Sequence, residues 1–353
     1  MVSPVSFSYS CPSGGYIEAG RRRLGALSEA LTAMPAATWL NWTSSTNVVP
    51  ITDTGPDGLT AWLESTGNYY MTNWPGKASF DPVSKQVMLA GTAQGFSSDV
   101  PAGLHAKIVF FDLATGLFSS VWNPYAANTA HIYDANPSVA INGKIYRQPF
   151  GSTWLFETTI STRVSVVKKD LATLGAFGAY ALECFPEMGA SGSIIFVSST
   201  GVVGRYDIAT DTLNTIGTYS GITAYPIVHH CNDYLVFGAG YSSSTFYKLT
   251  AAGTVSQMAN TLPASLTGIG SQLGHTMVAD PTGAKKSWLF ISGGNAYTLD
   301  HQTATWYDKG TIPFSSANTA VASIQGFGAF VFLVGGGRID SAHSNSKIWL
   351  YKE

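Results

Sequence analysis

Short apolar runs separated by Gly, Ser, Thr and Asn turns recur along the chain. The plainest copy reads Phe111-Asp112-Leu113-Ala114-Thr115-Gly116. It returns as Lys169-Asp170-Leu171-Ala172-Thr173 and as Tyr206-Asp207-Ile208-Ala209-Thr210-Asp211, with weaker copies at Tyr247-Lys248-Leu249-Thr250, Tyr297-Thr298-Leu299 and Tyr351-Lys352. Taking positions 112, 170, 207, 248, 298 and 352 as equivalent gives a mean step of 48 residues. A period in this range is the mark of a repeat architecture.

Upstream of each copy lies an apolar strand that ends in small residues. Examples are Val87-Met88-Leu89-Ala90-Gly91, Leu235-Val236-Phe237-Gly238, Leu289-Phe290-Ile291-Ser292-Gly293-Gly294 and Val331-Phe332-Leu333-Val334-Gly335-Gly336. Ile194 to Ser198 and Lys144 to Arg147 are degenerate copies. Before these come runs of mostly small residues: Ala78 to Phe80, Ser138 to Ile141, Met188 to Ala190, Pro226 to Val228, Thr276 to Ala279 and Ala320 to Ser323. Outer-strand candidates are Phe118 to Trp122, Thr212 to Ile216 and Thr305 to Tyr307.

The unit is therefore an inner strand of small residues, a buried strand, an aromatic strand and an outer strand. A four-stranded sheet of short strands cannot bury both faces alone, but radial stacking buries each sheet against its neighbours. Space is scarce near the axis, which favours small residues there. The second strand is buried on both faces and so reads as a continuous apolar run. The expected fold is all-β, a six-bladed β-propeller with an N-terminal arm and short helix, an irregular seventh blade being the alternative.

The Gly293-Gly294 and Gly335-Gly336 pairs, with Tyr297 and Trp306 in the first of these repeats, resemble the kelch family of propellers, which includes the central domain of galactose oxidase. The resemblance covers residues 76–353 and implies a fold rather than an activity. Copper chemistry of the galactose oxidase kind needs a Tyr/Cys/His constellation that is not placed here residue by residue.

The last unit ends with Ile348-Trp349-Leu350-Tyr351 as its third strand. The N-terminal part is expected to supply the missing outer strand, because closure removes a free sheet edge. Thr38 to Trp42, Asn47 to Thr52 and Leu59 to Leu63 are the candidates. Residues 1–35 read as a separate arm and helix, and 36–353 as the propeller. Met1 to Gly20 reads as extended. Arg21-Arg22-Arg23 opens an amphipathic stretch whose apolar positions are Leu24, Leu27, Leu31 and Met34. The arginines suit a solvated helix start; the sharper reading is a docking arm for a partner subunit or a phosphate-bearing surface.

Composition narrows the functional classes. Charged residues are 11% of 353, and the net charge is −2. No basic field exists, so sequence-specific nucleic-acid binding is not expected. No run approaches a membrane span, and Met1 to Ser10 lacks the basic and apolar regions of a secretory signal. Cys11, Cys184 and Cys231 are too few and scattered for a disulfide framework. Their odd number leaves at least one thiol free or paired between chains.

Candidate chemistry is sparse. His229-His230-Cys231 is the densest set of metal-ligand types. On a strand His229 and His230 point to opposite faces, while His229 and Cys231 share one. With no further ligand nearby in sequence, burial in a blade is the expected role. Glu183 and Glu187 flank Cys184, and a loop is their expected place. Asp57-Gly58-Leu59-Thr60-Ala61-Trp62 has the wrong spacing for a sialidase Asp box. Gly335-Gly336-Gly337 is followed by no helix and makes no phosphate loop. Tyr69-Tyr70, Trp74, Trp122-Asn123-Pro124-Tyr125 and Trp154 lie beside turns, where they could stack sugars or simply pack blades.

The sequence therefore assigns no catalytic, cofactor-binding or metal residue. The expected function is a non-enzymatic structural or interaction propeller that assembles with protein subunits, a homo-oligomeric ring foremost, in a virion or extracellular setting. By architecture and composition it resembles the tail nozzle or hub proteins of short-tailed bacteriophages. The alternative is an extracellular carbohydrate-binding or carbohydrate-active propeller, with a glycan as partner.

Overall fold

The computed structural model describes residues 16–18, 27–42, 78–90, 107–114, 118–122, 138–148, 153–172, 179–198, 200–220, 227–240, 243–263, 275–291, 294–314, 318–335 and 347–353. The chain enters through β1 (Tyr16–Glu18), α1 (Leu27–Ala33) and β2 (Thr38–Asn41). Blade 1 follows as β3 (Ser79–Asp81), β4 (Gln86–Ala90), β5 (Lys107–Asp112) and β6 (Phe118–Trp122). Blade 2 is β7 (Ser138–Ile141), β8 (Lys144–Arg147), β9 (Trp154–Thr159) and β10 (Val164–Asp170). Blade 3 is β11 (Ala179–Phe185), β12 (Ser193–Ser198), β13 (Val202–Asp207) and β14 (Thr212–Thr218). Blade 4 is β15 (Ile227–Cys231), β16 (Tyr234–Gly240), β17 (Ser243–Thr250) and β18 (Val255–Thr261). Blade 5 is β19 (His275–Ala279), β20 (Lys286–Ile291), β21 (Asn295–Asp300) and β22 (Thr305–Thr311). Blade 6 is β23 (Asn318–Ile324), β24 (Ala329–Gly335) and β25 (Lys347–Lys352), completed by β2 and β1.

Each blade is an antiparallel meander, and the inner strands touch in the cyclic order β3, β7, β11, β15, β19, β23 and back to β3. The fold is thus a six-bladed propeller. The middle of the second strand is buried, as an apolar run requires: Ile194, Ile195, Phe196 and Val197 of β12 are all inaccessible.

The ring closes as the sequence anticipates. β2 pairs antiparallel with β25, placing Trp39 opposite Tyr351 and Leu40 opposite Leu350. β1 then adds in parallel, Tyr16 opposite Trp39, so the arm contributes a fifth strand to the last blade. Leu27, Leu31 and Met34 of the amphipathic stretch are buried in a cluster with Phe111 and Leu113 of blade 1 and Leu350 of blade 6. Lys352 Nζ donates to the carbonyl of Leu31 at 3.0 Å, and Ser28 N donates to Leu113 O at 3.1 Å. Arg21 to Arg23, Asn47 to Thr52 and Leu59 to Leu63 lie outside the described residues.

The recurrent aspartate has a local cause. Asp112 Oδ1 accepts the N–H of Ala114 at 2.7 Å, and Asp300 Oδ1 accepts those of Gln302 and Thr303 at 2.8 and 3.0 Å. Asp207 Oδ1 does the same for Ala209 and Thr210. Each carboxylate folds the chain back into the outer strand, the side-chain mimic of a backbone turn. Three positions in the repeat reading move, 170, 248 and 298 becoming 159, 250 and 300. Asp170, assigned to a third strand, closes the outer strand β10, where the same side-chain turn holds Ala172 at 2.9 Å. The third strand of blade 2 is β9, which ends at Thr159. The residues paired with the start of each second strand are 112, 159, 207, 250, 300 and 352, at intervals of 43 to 52.

Met188 to Ala190, read as an inner strand, is the turn after β11; Gly189 there has φ +92°. The inner strand of blade 3 is Ala-Tyr-Ala-Leu-Glu-Cys-Phe, which departs from the small-residue pattern because Glu183 and Cys184 line the channel-end cavity.

Candidate functional site

The inner strands converge on a cavity of about 340 Å³ at the end of the central channel where they turn into the second strands. Every blade contributes to its wall. Phe80, Asp81, Pro82 and Val83 come from blade 1, Val139 to Asn142 from blade 2, and Glu183, Cys184 and Pro186 from blade 3. His229 and His230 come from blade 4, Val278 and Ala279 from blade 5, and Ser323 and Gln325 from blade 6. Among the described residues, two carboxyl groups and two imidazoles stand in the wall, and no lysine or arginine does.

Glu183 is on a strand and is buried, not in the loop expected from sequence. Its Oε1 accepts the N–H of Cys184 at 2.9 Å, and its Oε2 accepts the N–H of His230 at 3.1 Å. One carboxylate thereby ties the inner strands of blades 3 and 4. Glu187 lies beyond β11, and its Oε2 is 2.7 Å from His230 Nε2.

The structure separates the His-His-Cys run as strand geometry requires. His230 faces blade 3, its ring 5.6 Å from that of Phe185. His229 and Cys231 face blade 5. Nε2 of His229 is 2.5 Å from Ser287 Oγ, which is 2.7 Å from His301 Nε2. His301 Nδ1 is 2.5 Å from the Tyr234 hydroxyl. Burial holds the His301 imidazole down at about 4 and raises the Tyr234 phenol, so at neutral pH His301 is uncharged and Tyr234 keeps its proton. One consistent assignment of protons has Tyr234 donating to Nδ1, Nε2–H donating to Ser287, and Ser287 donating to His229.

Cys231 Sγ donates to the carbonyl of Lys286 at 3.4 Å, and burial pushes its thiol up to about 12. This buried polar chain locks blade 4 to blade 5 and fixes the orientation of a channel-wall imidazole. Among the described residues, no group of three or more His, Cys, Asp or Glu side chains is placed to hold a metal ion.

A second feature lies on the rim. Val164, Val166 and Val167 of β10 are 57%, 43% and 44% exposed, and Trp154 at the start of the neighbouring β9 is 44% exposed. β10 is the edge of its sheet. Among the other described edges, β14 exposes Thr212, Asn214 and Thr215, and β22 exposes Asp308 and Lys309 beside Tyr307, itself 48% exposed. Of the aromatics singled out beside turns, Trp154 stands on this rim and Trp122 closes β6. Tyr69, Tyr70, Trp74 and Asn123 to Tyr125 lie outside the described residues, as do Asp57 to Trp62, Gly293 and Gly336-Gly337.

No protein-family model matches the sequence, and no curated protein matches it significantly. Similar solved structures include a catalytically inactive virginiamycin B lyase from Staphylococcus aureus with quinupristin, 12% identical, with a TM-score of 0.49 over 82% of this chain and 96% of that one. A selenomethionine-substituted virginiamycin B lyase from the same organism is 12% identical, with a TM-score of 0.48 over 83% of this chain and 97% of that one. A streptogramin B lyase is 13% identical, with a TM-score of 0.48 over 80% and 93% of the two chains. At these identities the likeness is one of fold and brings no activity to this chain.

Proposed function

We propose that the protein is a non-enzymatic interaction propeller that assembles with other protein subunits, first of all with a second copy of itself, through the outer edge of blade 2. The observation that carries this reading is the valine edge of β10. An edge strand offers unpaired N–H and C=O groups, and soluble proteins normally guard such an edge with charge or polar side chains. β14 follows that rule, β22 sets one exposed aromatic, Tyr307, beside Asp308 and Lys309, and β10 departs from it at three positions.

A second copy suits this edge. Two β10 strands set antiparallel about a twofold axis between Val166 and Val167 would bring those two valines opposite each other. Lys168 would face Ser165, and Lys169 would face Val164, so no like charges meet. Strand addition of this kind draws affinity from main-chain hydrogen bonds and specificity from alternate side chains. The kelch-like and phage tail nozzle likenesses, and a virion or extracellular setting, belong to this proposal as its biological frame. They rest on repeat pattern, architecture and composition.

Light scattering coupled to size exclusion tests it. The wild-type chain is expected to run as a dimer or larger assembly at micromolar concentration, and Val166→Lys as a monomer with an unchanged melting temperature. A wild-type monomer at all concentrations, or a variant that assembles as before, overturns the reading.

A further inference from the structure

The β10 edge carries two lysines beside its valines, in the run Val164-Ser165-Val166-Val167-Lys168-Lys169. Lysine is a usual guard of an exposed strand edge, because its charge is costly to bury against an incoming strand. Yet the three valines are exposed, and Lys168 and Lys169 are only partly so. The register of β10 against β9 shifts between Val167 and Lys169, and a bulge of this kind re-aims side chains.

Each ammonium is turned back onto its own chain. Lys169 Nζ reaches blade 3, where it donates to the carbonyl of Asp211 at 2.6 Å and lies 3.2 Å from carboxylate Oδ2 of the same residue. Lys168 Nζ lies 3.9 Å from Oε2 of Glu157 on β9. Glu157 is buried and also accepts from Lys144 Nζ at 2.5 Å and from the Tyr146 hydroxyl at 2.8 Å.

Asp211 is itself held in place. It sits in the turn between β13 and β14 with φ +54°, a conformation that aspartate and asparagine tolerate better than most side chains. Its Oδ1 accepts the Tyr206 hydroxyl at 2.7 Å. That bond, with Lys169, holds its carboxyl below the usual carboxylate range, so it is charged at neutral pH.

The consequence rests on the assembly reading above. In the twofold pairing of two β10 strands, Lys169 faces Val164 of the second copy. A lysine without a counter-charge would there bring an ammonium against an apolar side chain, once at each end of the interface. We propose that Asp211 of blade 3 is the positioning residue that licenses assembly at the blade 2 edge. It holds and neutralises Lys169, so that the valines meet the second copy and the lysine does not guard against it.

The test is the dimer dissociation constant of the full chain at neutral pH, from analytical ultracentrifugation at low salt and at about 0.5 M salt. Asp211→Asn keeps a residue suited to the turn and removes the charge. It is expected to weaken assembly about three- to tenfold at low salt, since two ion pairs are lost per dimer. At high salt, where the lysine is screened, it is expected to approach the wild type. Lys169→Met added to Asp211→Asn is expected to restore wild-type affinity at low salt, which a general loosening of the turn would not allow. A wild-type monomer overturns the assembly reading and this inference together. Wild-type assembly with Asp211→Asn unchanged, or weakened and not restored by Lys169→Met, overturns this inference alone. If Asp211→Asn does not fold, Lys169→Met by itself decides. Its affinity is expected within about threefold of wild type, and a larger tightening would show that the lysine still guards the edge and overturn the inference.

Discussion

The ring of Trp39 lies 4.6 Å, centroid to centroid, from the ring of Tyr351, its cross-strand partner at the other end of the chain. This contact is where the circle closes. Trp39 also packs on Phe332 at 5.1 Å and meets the edge of Phe314 at 5.7 Å, within a cluster that includes Trp288 and Phe290 of blade 5. Removing it leaves a hole shared by two blades. Trp39→Ala is expected to lower the unfolding free energy by about 3–5 kcal/mol, read as a shift in urea midpoint. A change under about 1 kcal/mol would mean that closure does not hold the ring.

The buried relay between blades 4 and 5 makes stability depend on pH. His301 titrates at about 4 in the folded chain because burial disfavours its charge, against 6.5 for a free histidine. Between those values the unfolded chain binds a proton that the folded chain does not. The stabilisation is therefore present above pH 6.5 and is lost as pH falls toward 4. Its size is on the order of 1–3 kcal/mol. Wild type is expected to lose that much more stability between pH 6.5 and 4 than His301→Gln; equal slopes for the two proteins would remove the relay from the account.

Cys231 and Cys184 should differ in reactivity. Cys231 is 1% exposed, and its thiol is raised to about 12, so at pH 8 almost none is thiolate. Cys184 is half-buried in the cavity wall. Iodoacetamide at pH 8 followed by peptide mass mapping is expected to label Cys184 first and to reach Cys231 only after denaturation. Prompt labelling of Cys231 in the folded protein would contradict its burial.

Much of the architecture was legible because a propeller writes its packing into the chain. The continuous apolar run at Ile194 to Ser198, the turn aspartate at Asp207 and the closing strand at Thr38 each have a local cause. The inner strand of blade 3 was hidden for a related reason. Glu183 and Cys184 look like loop residues until the channel makes their side polar, and the small residues Gly189 and Ala190 nearby offered a better match to a strand near the axis. Blade 2 departs from the repeat pattern because Asp170 makes the same side-chain turn as Asp112, one strand later.

The candidate sites were less legible. Glu183 stands beside Cys184 in the chain, but its reach to the N–H of His230 in the next blade depends on how the inner strands lie side by side. That reach needs the strand order. The rim of blade 2 needs it as well: Val164, Val166 and Val167 read like any strand until β10 is known to be an edge.

Amide hydrogen exchange on residues 164–170 tests the central claim most directly, because it reads the backbone groups that assembly would pair. The account predicts that protection of this segment rises with protein concentration in the wild type and stays low in Val166→Lys, while the polar edge 212–218 stays constant in both. Protection of 164–170 that is independent of concentration would contradict the proposal that blade 2 is the assembly edge.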